Sequence, residues 1–85
     1  MIWRNHQLRR QADSVVLIQN DLYYSIQLAL DTGPKGIVID RRLVLIAYTH
    51  YKRKLGYYKL FESAAGRQSL HTTRQFIQRL LRDTI

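Results

Sequence analysis

The sequence predicts a mainly α fold, a small three-helix domain built around an antiparallel helix pair, and three observations predict it. Apolar side chains recur at helical spacing in three separate stretches, residues 14–30, 40–62 and 72–82. A break rich in glycine and proline, Asp31-Thr32-Gly33-Pro34-Lys35-Gly36, separates the first two and hinges them at Gly33-Pro34. A chain of 85 residues makes one domain, residues 1–85, with one modest core that all three stripes must share.

The opening residues 1–12 have poor periodicity and read as an N-terminal arm or frayed helix. Trp3, between Arg4, His6, Arg9 and Arg10, is expected to cover the edge of the core, with stacking on a base as the other option. Asp13 and Ser14 are good N-cap residues, and Val15, Ile18, Leu22, Ile26 and Ala29 then follow at helical spacing, predicting a helix over Ser14–Leu30. Leu17, Tyr24 and Leu28 form a second apolar edge, expected to lie under another element or a partner subunit. One alternative competes here. Leu22, Tyr24, Ile26, Leu28 and Leu30 also alternate, so a β-hairpin within residues 15–30, turning at Asn20-Asp21, fits the same letters.

Ile37-Val38-Ile39 is β-branched and short, a brief strand or an apolar lead-in to the Asp40 cap. The central stretch, Asp40–Glu62, places Leu43, Val44, Ala47, Tyr48, Tyr51, Leu55, Tyr58 and Phe61 on one broad side and Arg41, Arg42, Lys52, Arg53 and Lys59 on the other. Gly56 costs a helix interior about 1 kcal/mol relative to alanine. The helix is therefore expected to kink or stop there, with Tyr57, Tyr58, Leu60 and Phe61 opening a short helix or strand. Residues 63–71 are small and polar and read as a loop before the last helix, a flexible joint. Thr72 or Thr73 then caps a helix with Phe76, Ile77, Leu80 and Leu81 on one face and Arg74, Gln75, Gln78, Arg79 and Arg82 on the other.

Charge is segregated along the chain. Residues 1–10 carry +3, residues 11–40 carry −3, and residues 41–82 carry +9, for a total of +8 once Asp83 is included. Such a distribution concentrates positive potential on one part of the fold and suits a polyanion. No cysteine is present, which excludes disulfides, thiolate metal sites and cysteine nucleophiles. The longest apolar run is the six residues Leu43–Tyr48, against about 20 needed to cross a bilayer. With no signal-peptide pattern either, the expected location is intracellular, and cytoplasm, nucleoid and organelle interior are not distinguished.

His6, His50 and His71 are far apart and lack metal-binding spacing, and the carboxylates are scattered, so neither an enzyme nor a metal or other cofactor is expected. The two glycines and the lysine of residues 33–36 lack Walker spacing and the serine or threonine that follows it. The leading expectation is a small basic protein contacting the backbone of DNA or RNA with little sequence specificity, through Arg41, Arg42, Lys52, Arg53, Tyr57, Lys59, Arg74, Arg79 and Arg82. Tyr51 and Tyr58 belong to the apolar stripe and are expected in the core; Tyr57 is the ring expected to be exposed. The alternative is a non-catalytic helical interaction subunit of a larger protein or ribonucleoprotein complex, such as a phage or viral regulator docking on host machinery, or a homo-oligomer. A membrane partner is not expected, because the tyrosine-rich stripe is needed for the core.

Overall fold

Neither glycine nor proline occurs between Ile2 and Ala29, and in a computed structural model this whole stretch is one helix. The structure describes residues 2–33 and 36–83, with side chains for residues 9–30 and 38–82. Five elements follow in order: α1 (Ile2–Ala29), β1 (Leu30–Gly33), β2 (Gly36–Ile39), α2 (Arg41–Tyr57) and α3 (Ala64–Asp83). Residues 2–12, expected as an arm or frayed helix, are the first turns of α1, since nothing in them breaks a helix. Asp13 and Ser14 lie inside α1 and do not begin it. The side chain of Trp3 lies outside the described residues.

The stripe Val15, Ile18, Leu22, Ile26 and Ala29 is buried throughout, so residues 15–29 are helix and the alternating set is split. Leu22 and Ile26 point inward, whereas Tyr24 and Leu28 point outward. The hairpin exists, but over residues 30–39. β1 and β2 pair antiparallel, with Leu30 opposite Ile39 and Gly33 opposite Gly36. Residues 34–35, including Pro34 of the expected Gly33-Pro34 hinge, lie outside the described residues. The Asp40 N–H donates to the Ala29 carbonyl at 3.1 Å, tying the end of the ribbon to the end of α1. Asp40 then caps α2 as expected, its carboxylate accepting from the N–H groups of Arg42 and Leu43.

Four cross-contacts set the helix directions. Lys54 Nζ meets Asp21 at 3.4 Å while Asp40 meets Ala29, so α1 and α2 are antiparallel. Gln19 meets Ser69 and Tyr23 packs edge-on against Phe76, so α1 and α3 are parallel. Val44, Tyr51 and Leu55 of α2, Ile77 of α3, Ile39 and Leu60 complete the core. The result is a rod of 56 × 17 × 17 Å. At 1.5 Å per residue α1 alone reaches about 42 Å and sets the length.

A chain of polar groups crosses this apolar interior. Thr73 Oγ1 donates to Tyr51 Oη, Ser69 Oγ donates to Gln19 Oε1 at 2.8 Å, and Gln19 Nε2 donates to Tyr23 Oη at 3.1 Å. Tyr51 and Ser69 are also bonded, and since the Ser69 proton goes to Gln19, the Tyr51 hydroxyl is the donor. Tyr51, Ser69 and Thr73 are buried, and the relay joins all three helices at one register.

The region between α2 and α3 departs most from expectation. α2 ends in a Schellman motif, with the Leu60 N–H donating to the Leu55 carbonyl at 2.8 Å and the Lys59 N–H to the Gly56 carbonyl at 3.0 Å. No second helix or strand opens at Tyr57, which is the last residue of α2. Residues 63–71 are not a loop: α3 starts at Ala64, capped by Ser63, whose hydroxyl accepts from the Gly66 N–H at 2.9 Å. Gly66 breaks nothing here. It allows close approach, since a Cβ there would lie 1.8 Å from the Leu60 carbonyl oxygen. Thr72 and Thr73, expected as caps, sit well inside the helix. Tyr51 is in the core as expected, but Tyr58 and Phe61, read as core, are exposed because the helix ends before their spacing can place them. Leu43 is exposed too, on the flank of α2 that looks towards α1.

Candidate nucleic-acid interface

Helical spacing divides the cations among faces. On α2, Arg41, Leu45, Tyr48 and Lys52 fall four, three and four residues apart and form one stripe. That stripe borders α3, because Arg41 Nη1 donates to the Leu81 carbonyl at 2.9 Å. On α3, Arg67, Arg74, Gln78 and Leu81 fall on the matching flank. Four cations, Arg41, Lys52, Arg67 and Arg74, therefore line the two sides of the α2–α3 seam. Lys52 Nζ stands 4.7 Å from the centroid of the Tyr48 ring, which is partly buried against the core. Arg41 also meets the negative end of the α3 dipole, so one of the four has a structural task.

The remaining expected residues lie around this line. All nine, Arg41, Arg42, Lys52, Arg53, Tyr57, Lys59, Arg74, Arg79 and Arg82, are exposed. Arg42 and Arg53, three turns apart, share the outer face of α2 next to the seam. Arg79 falls one turn from Phe76, whose ring packs on Tyr23, and so turns to the α1 flank. Tyr57 and Lys59 lie at the end of α2, on the turn into α3. Lys54 leans the other way and pairs with Asp21 of α1; with both groups half exposed or more, the pair contributes little.

Arg67 was not among the expected residues, because the small residues around it read as loop. Two signals in the sequence mark it: a serine cap followed by two alanines, and a spacing of seven from Arg67 to Arg74. Between them α2 and α3 hold five and four Lys or Arg, and Asp83, the last residue of α3, is their single acidic residue. Within a Debye length of about 8 Å such charges reinforce one another.

The opposite side of the molecule differs in kind. Residues 11–30 contain no Lys or Arg. Leu17, Tyr24 and Leu28, expected to be covered, are 66%, 64% and 69% exposed. Beside them a groove of about 390 Å³ runs between α1 and α2, lined by Leu22, Leu28, Leu43, Ile46, Ala47 and His50 among others.

Compared with protein-family models, curated proteins and solved structures, the chain matches none of them. Among the described residues no three histidine or carboxylate side chains come together as a metal site would need, and no helix is long and apolar enough to cross a membrane. What the α2–α3 side offers chemically is a row of hydrogen-bond donors with positive charge and almost no competing acceptor.

Proposed function

We propose that the chain binds nucleic acid through the phosphate backbone with little sequence specificity, in a non-catalytic regulatory or structural role. The observation that carries this reading is the cationic seam: Arg41, Lys52, Arg67 and Arg74 from two helices, flanked by Arg42 and Arg53, in a segment whose only carboxylate before Asp83 is Glu62. Phosphates release counterions when cations of this kind replace them, so affinity falls with salt in proportion to the contacts made. Fluorescence anisotropy of labelled single-stranded RNA, single-stranded DNA and duplex DNA across a salt series tests it. The double variant Lys52→Gln with Arg74→Gln is expected to weaken binding and to flatten the log–log salt slope by about 1.5, near the value for two lost contacts. No binding at low salt, or an unchanged slope, overturns the assignment of this seam.

A second reading, an interaction subunit, is favoured by one observation, the uncovered apolar face of α1 and its groove against α2. On this reading the occupant is a second copy of the chain. Of the three helices, only α1 offers a long stretch free of cations, so it is where two strongly positive molecules meet with least repulsion. Sedimentation equilibrium over a concentration series detects the dimer, and a monomer throughout rules it out.

A further inference from the structure

The turn that ends α2 gathers aromatic rings and cations in a way that the core does not require. Tyr57 is 80% exposed, Tyr58 60% and Phe61 40%, three rings within five residues. Tyr57 and Tyr58 meet edge to face, with centroids 5.0 Å apart and planes at 88°. An edge-to-face pair covers only one of its four ring faces, and the exposure of Tyr57 leaves that ring open to solvent. Arg53 lies one turn before Tyr57 on the outer face of α2, which puts one cation on the same side of the helix as the ring, while Lys54 is turned to Asp21. Lys59 adds a second at the turn, held with φ of 57° in the left-handed conformation where glycine is the common occupant.

We propose that this turn is a stacking platform for unpaired nucleobases, so that the ligand is single-stranded nucleic acid, its bases resting on Tyr57 and its phosphates held by Arg53 and Lys59. This deepens the backbone-binding reading and rests on it. A flat ring flanked by cations matches a nucleotide, which pairs a flat base with an anion a few ångströms away. The outer face of α2 connects the turn to the seam, with Arg53 at one end and Arg42 three turns away, so a strand seated on the turn continues onto phosphate-binding residues.

The test compares oligothymidylate of about twelve nucleotides, within the usual footprint of such sites, with an abasic oligomer of equal phosphate count, by anisotropy across a salt series. The native chain is expected to bind the thymidylate at least about five-fold more tightly than the abasic strand, the smallest effect of one stacked base. Tyr57→Ala and Tyr57→Leu are expected to erase that difference and to leave abasic affinity and its salt slope unchanged, whereas Tyr57→Trp retains it. Because Tyr57 is exposed, these variants keep the fold, which circular dichroism verifies. Equal affinity for the two strands overturns the stacking platform while leaving the backbone reading intact. Absence of binding to both, at low salt, overturns both. Binding to phosphatidylserine vesicles that is lost in Tyr57→Ala, with thymidylate binding unaffected, would reassign the turn to a membrane surface.

Discussion

Lys59 shows how much one residue's backbone can cost. At φ of 57° its Cβ crowds the following carbonyl, a strain of about 1–2 kcal/mol that glycine does not suffer. The Schellman bonds from Lys59 and Leu60, with Leu60 buried against Leu55, hold it there. Lys59→Gly is therefore expected to stabilise the chain by about 1 kcal/mol, a little being returned as glycine gains entropy when unfolded. Urea denaturation measures it, and a loss of stability would show that the lysine side chain makes a contact worth more than the strain. That a lysine stands where glycine would be more stable accords with a role for its charge in ligand binding. Neither the φ nor the exposure of Tyr58 was legible in the sequence, because both depend on the residue at which α2 stops.

Among the elements, α1 was legible and the start of α3 was not. The five buried residues of α1 follow from spacing alone, since Val15, Ile18, Leu22, Ile26 and Ala29 lie on one stripe whichever neighbour covers them. α3 begins at Ala64 because Ser63 caps it and because Gly66 admits the Leu60 carbonyl, and that carbonyl is brought there by the end of α2. A glycine used for close approach has the same letter as one used to break a helix. Gly66→Ala is expected to destabilise by about 3 kcal/mol, the upper range for forcing atoms into packed space, since the obstacle is backbone and cannot rotate away. In thermal unfolding, an alanine variant as stable as the native chain would show that the α2–α3 turn relaxes freely. The hairpin was half legible: β-branched Ile37-Val38-Ile39 marks β2, while Leu30-Asp31-Thr32-Gly33 carries no alternation and is strand only because β2 pairs with it.

For the whole molecule, the charge segregation along the chain becomes a segregation of sides. α2 is shared: its α3 flank borders the cationic seam and its α1 flank borders the apolar groove. Two ligands of different chemistry thus have room on one small rod without competing. The prediction at this scale is that Leu28→Lys, on the uncovered face, abolishes the self-association sought by sedimentation and leaves nucleic-acid affinity within about two-fold, because surface changes away from a site are small. Parallel loss of both would mean that the seam binds only as a dimer.

The sequence by itself determined the three amphipathic stripes, the Asp40 cap, the placing of Tyr51 in the core and the surplus of cations after residue 40. All are local, set by which residue types recur every three or four positions. Only the tertiary structure decided which flanks meet: that Arg41 of α2 reaches the Leu81 carbonyl of α3, that Thr73, Tyr51, Ser69, Gln19 and Tyr23 form one relay, and that Leu17, Tyr24 and Leu28 stay uncovered. Those outcomes depend on the rotation and offset of one helix against another. Periodicity within a helix defines its faces and carries no record of what each face will touch.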